Sequence, residues 1–399
     1  MTSTTAHRDD LARDLITRTL EKVAAATKYR ETLHSAPCIS GDEEPAAAWI
    51  AERMPVPMER IAGAGRIGLI GPSARPAIAI RSELDALPIA EATDASFAST
   101  NGAMHACGHD VHQAALIAVA QAAAECDLPY GLVPFLQPRE EAYPSGALDI
   151  MKEGALDRLN VQAVIAAHVH PRIPVGSVAT GKGPTNAAAD EVAVVVTGRG
   201  GHGAYPHEAA NPIPVLAHIV TGLNEVLRRV CSPMHPALLT VGLFEAGDAA
   251  NVIPEHGHFA ATLRTMNREE RPRVHEAIRE YVASQARAFG VAATVNITTG
   301  EPVLENDPAF VDFVDRRLVE AGMQVSEPMR SCGADDFSFY SERLPGVMAF
   351  VGVETVGASS QPSLHSANFL PDADAVRRVA IALVSAYLGA CDLLDSSAQ

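Results

Sequence analysis

Five short stretches of the 399-residue chain gather side chains that can bind metal or move protons. Met104-His-Ala-Cys-Gly-His-Asp-Val-His112 holds three histidines, one cysteine and one aspartate in nine residues. The others are Arg81-Ser-Glu-Leu-Asp-Ala-Leu-Pro88, Gln137-Pro-Arg-Glu-Glu141, Ala167-His-Val-His-Pro171 and Leu364-His-Ser-Ala-Asn-Phe369. Imidazole, thiolate and carboxylate are the usual ligands of zinc and its neighbours. A thiolate or carboxylate can also bridge two ions, and such a pair can hold a water and polarise a carbonyl together. In Glu140-Glu141 one carboxylate can serve a metal while the other carries a proton to a leaving amine. Taken singly, each residue has a plainer reading. A lone histidine is usually a surface or core residue, a Glu pair is usually solvated, and a lone cysteine is usually a small buried hydrophobe. Their coincidence favours a metal site. A structural zinc site draws its ligands from tightly spaced pairs, whereas these spread from 107 to 365.

The elements that must position them are short apolar runs. Residues 77–80, 132–136, 161–167 and 347–353 read as buried strands, and the polar clusters follow directly on the first three. Helices are predicted over 8–30, 44–53, 111–125 and 373–391. Strands alternating with helices make an α/β sheet covered on both sides, whose ligands bind beyond the carboxyl ends of the strands. The middle of the chain reads differently. Strand 191–197, helix 211–230, strands 238–242 and 258–263, helix 271–289 and strand 293–297 follow the order βαββαβ of a ferredoxin-like split unit. The expected organisation is therefore a catalytic domain from 1–186 and 301–399, interrupted by an inserted α+β domain over 187–300.

Composition narrows the function classes. Apolar residues make up 47% and charged residues 20% of the chain, which is globular. The net charge of −17 and the lack of a Lys/Arg block argue against nucleic acid and against an anionic membrane surface. No signal-peptide h-region and no run of 18 apolar residues is read. The six cysteines lack the dense spacing of a secreted disulfide scaffold. The expected location is cytoplasmic.

With Gly200-Gly-His-Gly-Ala-Tyr-Pro-His207 added to the stretches at 81–88 and 104–112, the chain resembles the aminoacylase/carboxypeptidase superfamily of metallopeptidases. Within it the hippurate hydrolase and indole-acetyl-amino-acid hydrolase branch is the most similar. The resemblance runs from about residue 30 to 390. It implies a metallopeptidase-type catalytic domain with a mixed sheet, and a lid and dimerisation role for the insertion. It further implies two divalent ions, zinc or manganese first and cobalt or nickel as alternatives. Cys107 would bridge them, with His109, His168, Glu141 and His365 as further ligands. Glu140 would be general base and acid, and Asp85 would orient a ligand from behind. Glu83 stands where distant relatives carry a histidine ligand and is not counted as one; Asp110 and His112 would buttress the site. His202 would stabilise the oxyanion, offered across a homodimer. Asn251 and Arg264 would bind the substrate.

The implied reaction is hydrolysis of an N-acyl amino acid to a carboxylate and a free amino acid. A dipeptidase, a carbamoyl- or aryl-amide hydrolase on the same scaffold, and a non-catalytic metal-binding homologue are the alternatives. The chain departs from the family pattern at Arg139, at His170 and at Asp335 in Gly333-Ala-Asp-Asp-Phe337. Their roles stay open at this point, and Arg139 could meet either an acidic substrate group or a surface carboxylate.

Overall fold

The computed structural model describes residues 2–355 and 357–397. It divides into two compact units. The first comprises Met1–Gly183, Glu305–Met329 and Phe339–Gln399, and the second Pro184–Leu304 and Arg330–Ser338.

The first unit is built on an eight-stranded mixed sheet. Four of its strands, Gly131–Gln137, Ala77–Glu83, Val161–His170 and Gly346–Gly352, lie side by side and parallel. Ala77–Glu83, Gly131–Gln137 and Gly346–Gly352 are buried at every position. Burial on both faces is why these segments read as continuous apolar runs without alternation. The helix His109–Ala123 is buried except at Gln121, which likewise explains apolar residues on every face. It packs against the N-terminal helix Thr2–Ser35 and the C-terminal helix Ala375–Ser397. The latter is long and apolar enough to cross a membrane by composition, yet 78% of its most apolar stretch is buried inside the protein. It is a core helix, packed also against Pro308–Glu320.

The second unit carries strands Ala188–Thr197, Ala237–Ala246, His256–Thr265 and Ala292–Thr299, and helices Pro212–Val230 and Glu270–Phe289. The sheet order is Ala237–Ala246, His256–Thr265, Ala188–Thr197, Ala292–Thr299, all antiparallel. One face of the sheet offers Val192, Val194, Val196, Phe259 and Leu263 to the helix stripes Val215, Leu216, Ile219, Leu223 and Val274, Ile278, Val282. Those stripes repeat every three or four residues, as one face of a helix requires. The order of elements and strands is that of the split βαβ unit.

One boundary differs from the sequence reading. Residues 330–338, expected in the catalytic domain, belong to the second unit. The reason is backbone pairing: Ser331 N–H donates to Thr185 at 2.8 Å, and Ala187 N–H lies 3.1 Å from the carbonyls of both Ser331 and Gly333. A lone strand-like segment goes where its hydrogen bonds are satisfied, and alternating polar and small residues gave no apolar signal of that choice.

Candidate metal centre

The four parallel strands end together, and each delivers part of the site. Asp85 lies just beyond Ala77–Glu83, and Glu140 and Glu141 just beyond Gly131–Gln137. His168 lies near the end of Val161–His170, and His365 on the loop after Gly346–Gly352. Cys107 and His109 come from the turn that starts the helix His109–Ala123. Gly108 makes this turn possible. Its φ is +83°, and a Cβ there would sit 2.3 Å from Val169 Cγ2. Only glycine takes that backbone without strain and lets the turn press onto the strand bearing His168. His365 holds a left-handed φ of 63°, uncommon for a residue with a Cβ. Its N–H donates to the Ala106 carbonyl at 3.0 Å, tying the two ligand-bearing loops together.

Donor atoms of Cys107, His109 and His168 lie within 4.8 Å of one another, and so do those of Cys107, Glu141 and His365. The two groups share Cys107. His109, Glu140 and Glu141 form a third such group. The tautomers follow from the backbone. His109 Nδ1 is 2.8 Å from the Asp85 carbonyl and His168 Nδ1 is 2.8 Å from the Val169 carbonyl. A carbonyl can only accept, so both Nδ1 atoms carry hydrogen and each Nε2 lone pair is aimed inward. His168 Nε2 stands 3.4 Å from Cys107 Sγ. His109 Nε2 and Glu141 Oε1 are buried and have no hydrogen-bond partner among the described residues. His365 Nε2 lies 3.2 Å from that same oxygen, at ion-pair distance. Buried polar atoms without partners are costly; a divalent cation at these two groups would satisfy them, so the donor set fits two ions.

The electrostatics agree. Burial pushes the Cys107 thiol well above its ordinary value, and the charges of Glu141, Glu140 and Glu83 push it further. Burial holds His168 well below the ordinary imidazole value, so it is neutral. Burial raises Glu141, but the contact with His365 and the nearby His109 ring outweigh it and hold the carboxyl down. Glu141 raises His365 in turn. A cation would reverse the penalty on the thiolate and expel its proton.

Asp85 is buried and does more than orient one ligand. Its carboxylate accepts from Ser40 Oγ at 2.7 Å and from the Glu141 N–H at 2.9 Å. The partner of His109 is its carbonyl; the carboxylate stands 3.9 Å from the ring. Glu140 Oε2 stands 3.8 Å from His109 Nε2, on the edge of the donor cluster.

Other candidates are resolved by their partners. Glu83 is engaged by Arg81 at 2.7 Å and His112 at 3.0 Å. Asp110 turns away from the donors and takes Arg30 at 2.9 Å and His34 at 3.0 Å. His34, held between Asp110 and Glu91, escaped the sequence reading because nothing in a helical stretch marks it. Arg139 donates to the Pro144 carbonyl and pairs with Asp149, and its N–H binds Glu43 Oε1. It braces the loop carrying Glu140 and Glu141. His170 accepts from the Arg172 N–H at 3.2 Å, and burial lowers it to about 4. Asp335 caps its own turn through the Phe337 N–H.

Three candidates lie in the second unit. His202 is exposed and pairs in register with Val252. Gly203 N–H donates to the Asn251 carbonyl at 2.8 Å, so His202 and Asn251 lie side by side at one end of a two-stranded ribbon. That ribbon adjoins the His256 end of the strand His256–Thr265, because Gly198 N–H donates to the Glu255 carbonyl. Arg264 lies at the other end, roughly 27 Å away at about 3.4 Å per residue.

Residues 79–384 match Peptidase family M20/M25/M40. The chain belongs to this family. It is a metal-dependent amidohydrolase of the M20 type. An N-acetyl-L-cysteine deacetylase of Bacillus subtilis is 36% identical over 334 residues, 83% of this chain and 78% of that protein. Among solved structures, a protein described as an aminohydrolase from methicillin-resistant Staphylococcus aureus superposes with a TM-score of 0.89 at 30% identity, covering 94% of this chain and 98% of its own. A dinuclear metal binding M20 peptidase of Bacillus subtilis gives a TM-score of 0.80 at 27% identity, covering 92% and 98%.

Proposed function

We propose that this M20 amidohydrolase cleaves the amide bond of N-acyl amino acids at a site holding two divalent ions. The observation that carries the proposal is the pair of donor groups sharing Cys107. Cys107, His109 and His168 would hold one ion, and Cys107, Glu141 and His365 the other. Such ions supply Lewis acidity toward a carbonyl and lower the pKa of water. The metal-binding peptidase and the deacetylase among the relatives support the same reading.

The chain's own residues do the rest. Glu140 takes a proton from the attacking water and delivers it to the leaving nitrogen. Asp85 holds the Glu141 backbone and, through its carbonyl, the His109 ring. His202 donates to the oxygen on which negative charge develops. The Arg264 backbone is paired within its sheet, but its guanidinium makes no hydrogen bond or ion pair among the described residues, and its fork suits the amino-acid carboxylate. His202 and Arg264 stand farther apart within one second unit than a small N-acyl amino acid reaches. This supports a homodimer in which the two come from different copies, with the second unit acting as lid and dimerisation domain. Zinc or manganese is the expected metal.

The test is a substrate panel of N-acetyl, benzoyl and indole-acetyl amino acids, read beside metal content. Glu140→Ala is expected to keep two ions and to lose about 10²–10⁴-fold in kcat. Full turnover in this variant would sink the mechanism, and a wild-type protein inert on the whole panel would sink the substrate class.

A further inference from the structure

Two of the three histidines in the stretch 104–112 remain unused by the reaction described above. His105 is buried and neutral, pushed down to about 3 by burial. His112 stands at the centre of a continuous hydrogen-bonded chain beneath the donor cluster. Its Nε2 lies 3.0 Å from the Val169 backbone nitrogen. A backbone N–H can only donate, so Nε2 must be bare and Nδ1 must carry the hydrogen. That hydrogen goes to Glu83 Oε2 at 3.0 Å. Glu83 Oε1 takes Arg81 Nη1 at 2.7 Å, and Arg81 Nε donates to Gln137 Oε1 at 2.9 Å. Both ring nitrogens of His112 are thereby committed, and neither is available to a metal.

The other end of the chain reaches a ligand. Val169 follows His168, and its carbonyl accepts from His168 Nδ1. His112 therefore grips by its N–H the residue whose carbonyl holds the His168 ring. The two rings also touch edge to face, with centroids 4.8 Å apart, and His112 lies 5.7 Å from the His109 ring. Each of these contacts bears on the donors of the group Cys107, His109 and His168. None bears on Glu141 or His365.

We propose that His112 is a positioning residue that sets the affinity of one ion of the pair, the one held by Cys107, His109 and His168. The fixed tautomer of His112, donating on one side to Glu83 of the Arg81–Glu83 pair and accepting on the other from the Val169 N–H, locks the His168 ring with its Nε2 toward Cys107. The inference rests on the two-ion reading of the site. His112→Leu leaves the Val169 N–H and Glu83 Oε2 without partners. His112→Gln can restore both, its amide oxygen accepting from Val169 and its NH₂ donating to Glu83.

The experiment is stepwise titration of the metal-stripped protein with zinc by calorimetry, with bound metal counted after dialysis. The wild type is expected to take two ions. His112→Leu is expected to bind one ion as the wild type does and the other about 10- to 100-fold more weakly, the usual cost of losing an outer partner of a ligand. His112→Gln is expected to recover most of the loss. Two ions bound by His112→Leu as tightly as by the wild type would overturn the positioning role alone. A wild type that takes only one ion would overturn the two-ion reading instead. A third measurement needs no variant to fold. The ¹⁵N shifts of the His112 ring in the wild-type protein should show a protonated Nδ1 and a bare Nε2, and a protonated Nε2 would overturn the proposal.

Discussion

The two units place their polar residues under opposite conditions. In the first, Cys107, His109, His168 and Asp85 are buried, and the His109 and His168 rings are held from behind by backbone carbonyls, while His365 at the rim is exposed. In the second, His202 and Asn251 lie exposed on a two-stranded ribbon, and Arg264 is half-buried at the far end of its strand. The first region is preorganised before anything binds; its cost, unpartnered buried donors and a protonated thiol, is what a cation would relieve. The second is free to be engaged late, by a substrate or a second copy of the chain. Metal content should therefore depend on the first region alone, and turnover on both.

The sharpest way to break this contrast is Cys107→Ala. Because both donor groups share the thiol, the variant is expected to lose both ions and all measurable activity, read by metal analysis beside turnover. Two ions retained would mean that the groups are not bridged there. Next in size, His202→Ala is expected to keep both ions and to lose about 10²–10³-fold in kcat, the usual cost of one oxyanion donor. Loss of metal in that variant would erase the distinction between the regions.

Smaller effects probe how rigid the first region is. Gly108→Ala must bear a positive φ and a clash with Val169, which together cost about 2–4 kcal/mol. A fall in Tm accompanied by weaker metal binding is expected, and an unchanged Tm would show that the turn can yield. The smallest expected effect is a pH dependence. His105 is held near 3 by burial, whereas the unfolded chain takes up that proton near its ordinary value of about 6.5. From pH 6.5 downward the unfolded state binds more protons, so stability falls as pH falls, by up to about 1.4 kcal/mol per pH unit for this one group. Urea melts between pH 7 and 4 should show the slope, and His105→Gln should flatten it.

Much of the fold was open to reading because burial writes itself into composition. The strands at 77–83, 131–137 and 346–352 are buried on both faces and so have continuous apolar runs. The helix stripes of the second unit repeat at helical spacing because one face meets a sheet. The segment 330–338 was not readable. Its place rests on backbone bonds to Thr185 and Ala187, which any sequence can make.

The candidate site divides in the same way. The sequence by itself determined that thiol, imidazole and carboxylate groups would gather beyond the carboxyl ends of neighbouring parallel strands, since those ends are where loops begin. Residue chemistry and spacing could not say which of His105, His109 and His112 looks at an ion, because all three lie in one nine-residue stretch and share one chemistry; only the family resemblance pointed to His109. The tertiary structure decided that. His105 lies buried beside His34, His112 is spent on Glu83 and Val169, and only His109 keeps a bare nitrogen toward Cys107. The physical reason is that a ligand is identified by the partner of its other nitrogen, and those partners are a carbonyl at 85, a carboxylate at 83 and an N–H at 169, brought together only when the sheet and its helix pack.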